Sequence, residues 1–256
     1  MQELWREMTK TAALIFDVDG TLAETEEAHR QAFNDTFERF SVEWYWDRYT
    51  YKRLLRVAGG KERIRFYATE MRTPLTESDI RALHLQKTAR YAELVESGDV
   101  GLRIGVKRLI EEAKHCDIKL LIATTTSYSN VVALLDATLG KGSVDIFDAV
   151  SAGDTVRFKK PAPDVYQEAL SLCGLLPDHC IAVEDSRNGL LAAVSASVTT
   201  VVTPTAYTKD ECFGEAALVL DHLGEEGTPC SVLMGPEPPE PLLRASWLDQ
   251  LLPKGR

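Results

Sequence analysis

A short apolar run that ends in two aspartates constrains the fold more than any other part of the chain. Residues Ala12 to Phe16 are small or apolar, and the polar stretch Asp17-Val18-Asp19-Gly20-Thr21 follows them directly. Such a run is typical of a strand that is buried on both faces of a parallel sheet. Ligands bind at the carboxyl ends of the strands in open α/β sheets, so both aspartates stand where a site is expected.

Similar apolar runs later in the chain predict the other strands of the sheet. They lie at Ile118 to Ala123, Phe147 to Val150, Cys180 to Val183 and Val198 to Val202. Helical patterns separate the later runs, at Tyr128 to Leu139, Asp164 to Cys173 and Arg187 to Ser195. This alternation predicts an α/β fold, with a doubly wound parallel sheet and helices on both of its faces.

Residues 24–97 interrupt the alternation. They contain no convincing strand, but they hold charge-rich helical stretches at Glu26 to Phe40 and Ile80 to Glu96. We therefore predict an inserted α-helical domain at 24–97 and an α/β core domain made of residues 1–23 and 98–256. A group of aromatic residues is expected to form the core of the insert: Trp44, Tyr45, Trp46, Tyr49 and Tyr51. A short helix is expected around Ser246 to Leu252.

Charge and composition limit the partners and the location. The formal net charge of −10 argues against a nucleic-acid partner, because phosphate backbones bind basic surfaces. No run of the sequence is long and apolar enough to span a bilayer, so no membrane partner is expected. The five cysteines are scattered and lack metal-ligand spacing, which favours free thiols in a reducing compartment. We expect a monomer in the cytoplasm, or in a plastid if a transit peptide has been removed.

Four polar segments are predicted to meet at the carboxyl edge of the sheet. Asp17 and Asp19 suit a hard cation that prefers oxygen ligands, and the acidic pair Glu184-Asp185 could complete such a metal site. The hydroxyls and backbone N–H groups of Thr124-Thr125-Thr126-Ser127 could hold phosphate oxygens at the start of a helix. In Lys159-Lys160-Pro161, one lysine could neutralise an aspartate and a phosphate together.

Each segment also has a simpler interpretation when it is taken alone. The aspartates could form a hydrated acidic turn, the threonines a helix N-cap, and the lysines a solvated basic turn. The order of the four segments along the chain is stronger evidence for a function than any one segment alone. That order resembles the haloacid dehalogenase superfamily of phosphotransferases, in which an aspartate is the nucleophile, and the resemblance extends from Ala12 to about Thr203.

The resemblance implies roles for particular residues. Asp17 would be the nucleophile that becomes an aspartyl-phosphate, and Asp19 the acid/base for the leaving group and the attacking water. Thr124 and Lys160 would hold the phosphate. Mg²⁺ would be bound by the Asp17 side chain, the Asp19 backbone carbonyl and Asp185, with Glu184 beside the ion or behind it. The presence of Asp19 disfavours a carbon–halogen substrate. The implied fold is a Rossmann-like core with an inserted helical cap.

A narrower resemblance is to the CbbY-type proteins, a branch that is similar to β-phosphoglucomutase. It is carried by Glu24-Thr25-Glu26-Glu27-Ala28-His29-Arg30, by Gly59-Gly60-Lys61-Glu62-Arg63, by Trp44-Tyr45-Trp46, and by the threonine run with Asn130. The best-known activity of that branch is dephosphorylation of xylulose 1,5-bisphosphate, an inhibitor of Rubisco. The resemblance thus implies that the cap contacts a phosphorylated sugar.

Individual cap residues are expected to bind this substrate. The backbone of Gly59 and Gly60 could approach a distal phosphate closely, with charge from Lys61 and Arg63. A flexible glycine turn before a solvated helix is the simpler alternative, and for His29 a packed histidine is the alternative to a role beside Asp19. The full set of predicted substrate-binding residues is Glu26, His29, Gly59, Gly60, Lys61, Glu62, Arg63, His84, Lys87, Thr125, Thr126 and Asn130.

The predicted function is that of a Mg²⁺-dependent phosphatase for a small sugar phosphate, with xylulose 1,5-bisphosphate as the first choice. A phosphosugar mutase of the β-phosphoglucomutase kind remains an alternative, because it would use the same two aspartates. A phosphoglycolate-type phosphatase is a further alternative, although it would not need a second anion site. A non-catalytic binding module ranks lowest, because both Asp17 and Asp19 are present.

Overall fold

The computed structural model describes residues 10–98 and 100–253, so residues 1–9, 99 and 254–256 of the predicted core domain lie outside the described part. One seven-stranded sheet forms its centre, in the order β3-β2-β1-β4-β5-β6-β7. All neighbouring strands are parallel except β6 and β7. The strands are β1 (Ala13–Phe16), β2 (Lys119–Ala123), β3 (Ala149–Ser151), β4 (Cys180–Glu184), β5 (Thr199–Val202), β6 (Leu218–Leu220) and β7 (Val232–Met234).

The helices fall into two groups, one between β1 and β2 and one that alternates with the later strands. The first group is α1 (Glu26–Arg39), α2 (Arg48–Leu54), α3 (Gly60–Glu70), α4 (Glu77–Glu96) and α5 (Val106–His115). The second group is α6 (Tyr128–Leu139), α7 (Asp164–Cys173) and α8 (Arg187–Ser195). The predicted α/β fold with a parallel sheet is confirmed by this arrangement.

Strand β1 shows why the sheet is covered on both faces. Successive side chains of a strand point to opposite faces, and all four residues of β1 are completely buried. Leu14 and Phe16 pack into one hydrophobic core, whereas Ala13 and Ile15 pack into another. The apolar run therefore forms the buried strand that the sequence predicted, and Asp17 follows directly after it.

Helices α1 to α4 have a hydrophobic core of their own, rich in aromatic residues. The predicted members Trp44, Trp46 and Tyr51 are buried in it. The prediction is wrong for Tyr45 and Tyr49, which are 70% and 80% exposed. Tyr45 stands between the buried Trp44 and Trp46, so composition alone did not distinguish the inward from the outward positions. The exact limits 24–97 of the inserted domain stay a prediction.

The chain leaves the sheet and returns to it at one place. Ala23, after β1, pairs with Leu102 in an antiparallel bridge, and the backbone N–H of Arg103 donates to the carbonyl of Leu22 at 2.8 Å. The Arg103 guanidinium adds bonds to the carbonyls of Gly20 and Thr203. These contacts place the insert (helices α1 to α4) above the carboxyl end of β1.

Some elements differ from the sequence-based expectation. The predicted strands shift by one or two residues at their ends, and the C-terminal helix predicted at Ser246 to Leu252 is a 3₁₀ helix at Ala245–Gln250. Strands β6 and β7, each of three residues, were not predicted. Helix α5 was also missed, although its buried residues recur at helical spacing: Val106, Leu109, Ile110 and Ala113. None of the described helices is long and apolar enough to cross a membrane.

Candidate active site

All but two of the predicted site residues line one pocket between the carboxyl edge of the sheet and the insert. Thr124 and Glu184 are buried and lie outside the lining of this pocket. The predicted residues that line it are Asp17, Asp19, Glu26, His29, Gly59, Gly60, Lys61, Glu62, Arg63, His84, Lys87, Thr125, Thr126, Asn130, Lys160 and Asp185.

Asp17 and Lys160 form a buried ion pair at the base of the pocket. The Nζ atom of Lys160 lies 2.7 Å from Oδ1 of Asp17 and 2.6 Å from Oε1 of Glu184, and it donates to the carbonyl of Ala123 at 2.8 Å. Burial raises the pKa of Asp17 to about 7, with Lys160 opposing that rise and Glu184 adding to it. One lysine thus offsets part of the charge of two carboxylates.

Three carboxylates cluster where the sequence predicts a metal. Among the described residues, Asp17, Glu184 and Asp185 each offer an oxygen atom within 4.8 Å of the others. Burial, together with Asp17 and Glu184, raises the pKa of Asp185 well above its usual range. A Cβ atom on Gly20 would lie 2.5 Å from Oδ2 of Asp185, so only glycine leaves room for this carboxylate. A compact set of crowded carboxylate oxygens fits a small divalent cation such as Mg²⁺.

Glu184, one of the three carboxylates of this cluster, is held from several sides. Its Oε1 atom accepts from the Tyr166 hydroxyl at 2.7 Å as well as from Lys160, and its Oε2 atom accepts from the backbone N–H of Asp185 at 3.2 Å. A Cβ atom on Gly189 would lie 1.9 Å from Oε2 of Glu184, so the carboxylate packs directly on that glycine. Glu184 therefore orients Lys160 from a fixed position.

Asp19 is held by side chains of the insert. Its Oδ1 atom accepts from the Thr25 hydroxyl at 2.6 Å and lies 2.9 Å from Nε2 of His29. Burial favours a higher pKa for Asp19, but His29 and Thr25 lower it to about 2. Because an ionised carboxylate can only accept, Nε2 of His29 carries a proton, and Nδ1 accepts from Nζ of Lys87 at 2.6 Å. The aspartate expected to act as acid/base is thus oriented by α1 and α4.

The buried residues around His29 shift its ionisation and that of Lys87. Burial and the neighbouring Lys87 lower the pKa of His29 to about 4, and burial lowers the pKa of Lys87 to about 7. The His29 ring stacks on Tyr91 with 3.9 Å between ring centroids. His29 is thus packed and also contacts Asp19, and its role in binding substrate stays a prediction.

A second polar chain lines the insert side of the pocket. Tyr51 donates to Oε2 of Glu26 at 2.8 Å, and Nη1 of Arg63 donates to the Tyr51 hydroxyl at 3.2 Å. Nε of Arg63 donates to the carbonyl of Leu54 at 3.1 Å, which fixes the guanidinium. Burial raises the pKa of Glu26 to about 7, with Arg63 opposing the rise. This chain places a protonatable carboxyl and a fixed guanidinium side by side.

The two glycines at the start of α3 allow close contacts. Gly59 has a φ of 91°, and a Cβ atom there would lie 2.7 Å from Cδ of Lys159. A Cβ atom on Gly60 would lie 2.6 Å from the His84 ring. Nearby, Oε2 of Glu62 is buried without a hydrogen-bond partner among the described residues. The glycine pair therefore lets the start of α3 approach Lys159 of the core and His84 of α4.

The threonine run turns from β2 into α6. The backbone N–H of Thr126 donates to Oγ1 of Thr124 at 3.2 Å, and Nδ2 of Asn130 donates to Oγ1 of Thr126 at 3.0 Å. The Thr124 hydroxyl thus takes part in the turn, while Thr125 and Thr126 reach the pocket lining. Contact between Thr124 and a phosphate stays a prediction.

Several residues of the pocket wall were not predicted to bind substrate. They are Phe33, Leu55, Ala58, Ser127, Gly153, Asp154, Lys159, Ser186, Asn188, Thr208 and Glu211. Lys159, Ser127 and Ser186 stand within the polar segments identified from the sequence, so their position was a usable signal. Most of the others come from loops and helix ends that carry no recognisable pattern.

Comparison with known proteins identifies the family of this chain. A family model of haloacid dehalogenase-like hydrolases matches residues 14–203. The chain belongs to this family. Protein CbbY of Rhodobacter capsulatus is 51% identical over 204 residues, which are 80% of this chain and 90% of that protein. Protein CbbY of Cereibacter sphaeroides is 46% identical and covers 84% of this chain and 94% of its own length.

Solved structures give the same result for the fold. CbbY from Rhodobacter sphaeroides in complex with phosphate is 47% identical, with a TM-score of 0.78 and coverage of 85% of this chain and 96% of that chain. A mutant of that protein was solved with xylulose-(1,5)bisphosphate, at 45% identity, a TM-score of 0.79 and the same coverage. A β-phosphoglucomutase from Clostridium difficile, 23% identical with a TM-score of 0.69 over 82% of this chain and 92% of that one, shares the fold.

Proposed function

We propose that this member of the haloacid dehalogenase-like hydrolase family is a Mg²⁺-dependent phosphatase for a sugar bisphosphate, and that its substrate is xylulose 1,5-bisphosphate. The observation that carries the proposal is a pocket with two chemically different ends. Asp17, Lys160 and Asp185 lie at one end, and Lys61 and Arg63 of the insert lie in the opposite wall. The CbbY relative solved with xylulose-(1,5)bisphosphate supports the choice of sugar.

The core end supplies the reacting groups. The Asp17 carboxylate attacks phosphorus and forms an aspartyl-phosphate, while the leaving sugar oxygen takes a proton from Asp19. An approaching dianionic phosphate raises the pKa of the neighbouring Asp19, which gives that carboxyl a proton to donate. In its ionised form Asp19 then deprotonates the water that hydrolyses the intermediate. Lys160 bonds to Oδ1 of Asp17 and so fixes the orientation of the attacking carboxylate.

The carboxylate cluster would hold the metal. Asp17 and Asp185 would be ligands through side-chain oxygens and Asp19 through its backbone carbonyl, with Glu184 next to them. A divalent cation there would offset the repulsion between an anionic nucleophile and an anionic phosphate. Lys160 adds a positive charge from the protein itself, which offsets the same repulsion.

The insert end accounts for selectivity. Arg63 is fixed by Leu54 and Tyr51, which makes its guanidinium a preorganised partner for a second phosphate. Glu26 and His84 border the space between the two ends and would contact sugar hydroxyls. Phosphoglycolate has no second phosphate to bind at the insert end, so the bisphosphate is the better fit.

Product analysis tests the proposal. The purified protein is incubated with Mg²⁺ and a panel that contains xylulose 1,5-bisphosphate, β-glucose 1-phosphate, phosphoglycolate and p-nitrophenyl phosphate, and free phosphate and sugar products are measured. We expect phosphate release with the highest kcat/KM for xylulose 1,5-bisphosphate. Isomerised sugar phosphate without phosphate release would overturn the proposal in favour of a mutase, and highest efficiency on phosphoglycolate would overturn the sugar assignment.

A further inference from the structure

Residues 203–212, the segment that follows β5, contact helices α1 and α2 of the insert. The Tyr207 hydroxyl donates to Oε1 of Glu27 on α1. The Nζ atom of Lys52 on α2 lies 2.7 Å from Oδ2 of Asp210. The Tyr207 ring also meets Tyr51 edge to face, with 5.9 Å between centroids. One short turn of the core is thus joined to two helices of the insert by polar and aromatic contacts.

The same segment contacts the carboxylate cluster. Oγ1 of Thr208 donates to Oδ2 of Asp185 at 3.5 Å and accepts from the backbone N–H of Thr205 at 2.9 Å. Thr208 is buried, and it follows Tyr207 directly in the chain. Any movement of the insert that displaces Tyr207 therefore acts on a turn that also touches Asp185.

The position of the insert matters for Asp19. The carboxylate of Asp19 is held by His29 of α1, and His29 is held in turn by Lys87 of α4. Separation of the insert from the core would remove both supports. The contacts of segment 203–212 with helices α1 and α2 are made between protein side chains, so they hold the insert against the core independently of substrate.

We propose that segment 203–212 is a latch that holds the insert closed over Asp17, with Tyr207 and Asp210 as positioning residues. The latch itself rests on contacts between protein side chains, whereas the effect of the distal phosphate and the choice of test substrate rest on the proposed function. Two interactions favour the closed position of the insert over an open one: the latch, and binding of the distal phosphate of the substrate. Each shifts the equilibrium between the open and closed positions only as far as it prefers the closed one.

Because both the latch and the distal phosphate favour closure, a latch variant should affect a substrate with a distal phosphate differently from one without it. With a bisphosphate, saturating substrate closes the insert even without the latch, so a latch variant raises KM and leaves kcat within about twofold. With p-nitrophenyl phosphate, which has no distal phosphate, a latch variant lowers kcat. An open cleft of about 470 Å³ borders Lys52 and Tyr207, so water reaches these contacts. We therefore expect changes of about two- to fivefold, as for partly exposed ion pairs.

Four variants and one control define the test. Tyr207→Phe removes the hydroxyl and keeps the ring against Tyr51. Lys52→Asp and Asp210→Lys each replace attraction with repulsion, and the double variant restores an ion pair with its charges exchanged. Arg53→Asp is the matched control, because Arg53 is next to Lys52 but pairs with Glu70 within the insert. The control is expected to keep wild-type kinetics on both substrates.

Hydrogen–deuterium exchange measures closure without turnover. In Mg²⁺ and without substrate, the amides of residues 124–130 and 203–212 should exchange faster in Tyr207→Phe and in both single charge reversals, and the double variant should return towards wild type. Unchanged exchange in the three single variants, or a double variant that fails to recover in both exchange and kinetics, would overturn the latch. If the exchange pattern is as expected but the wild type releases no phosphate from xylulose 1,5-bisphosphate, the proposed function fails and the latch stands.

Discussion

The Nζ atom of Lys160 lies 2.7 Å from Oδ1 of Asp17, the residue that directly follows strand β1. The same atom lies 2.6 Å from Oε1 of Glu184. Burial opposes the charge on Lys160, but the two carboxylates raise its pKa above the usual range, so the lysine stays protonated. A cation that joins the expected nucleophile to the acidic cluster is the electrostatic centre of this site.

Replacing each lysine of the Lys159-Lys160 pair tests which of them acts. Lys160→Met should lower kcat by about 100-fold or more, because it removes a preorganised charge from the reacting phosphate. Lys159→Met is the control, since Lys159 donates to the carbonyl of Gly153 and not to the carboxylates of Asp17 and Glu184. We expect Lys159→Met to lower kcat by less than about tenfold. Equal losses in steady-state phosphate release would contradict the role given to Lys160.

Arg63 is expected to determine the preference for a bisphosphate. Arg63→Ala should lower kcat/KM for xylulose 1,5-bisphosphate by about 10- to 150-fold, the range for a lost charge-assisted contact of roughly 1.5–3 kcal/mol. The value for p-nitrophenyl phosphate should hardly change, because that substrate does not reach the insert end. Arg65→Ala on the same helix is the control, since Arg65 pairs with the exposed Glu77. Equal losses on both substrates would mean that Arg63 supports the insert structurally.

Metal removal should abolish activity. Three crowded carboxylates with one nearby lysine leave net negative charge where a phosphate must bind, so excess EDTA should stop phosphate release. Added Mg²⁺ should restore it. Ca²⁺ should inhibit, because its larger and looser coordination shell could take both oxygens of Asp17 and block attack. Full activity after extensive EDTA treatment, with no metal detected by elemental analysis, would be incompatible with this account.

The aromatic core of the insert should contribute strongly to stability. Trp46→Ala removes a completely buried side chain and should cost about 3–5 kcal/mol in the free energy of unfolding. Tyr45→Ala changes the adjacent residue, which is 70% exposed, and should cost less than about 0.5 kcal/mol. Urea denaturation followed by circular dichroism measures both values. Similar costs for the two variants would show that the burial of Trp46 is not as described.

The strand-end residues of the site were predictable from the sequence for a simple reason. Parallel strands deliver the residues that follow them to the same edge, so the position of Asp17, Thr125 and Asp185 follows once the apolar runs are identified. Lys160 was found only through its pairing with a proline and the family resemblance. Its contact with Glu184 required the structure.

Other parts could not be read from local patterns. Tyr166 lies 18 residues from Glu184 and shows no periodic signal that would reveal its hydrogen bond. Tyr207 is 180 residues from Glu27, and the turn that carries it has no characteristic composition. The outward position of Tyr45 depends on how Trp44 and Trp46 pack in the insert. Such contacts are decided by tertiary packing, which a single sequence does not display.

Asp17→Asn tests the central claim most directly. The amide is nearly isosteric with the carboxylate, but it is a poor nucleophile, so the fold should remain and turnover should be lost. The measurement is the rate of phosphate release from xylulose 1,5-bisphosphate in Mg²⁺, with intact mass used to exclude deamidation and circular dichroism to confirm folding. We expect activity to fall by several orders of magnitude, because loss of the covalent step should cost several kcal/mol of transition-state stabilisation. A folded Asp17→Asn protein that keeps more than about a tenth of the wild-type rate would contradict Asp17 as the nucleophile.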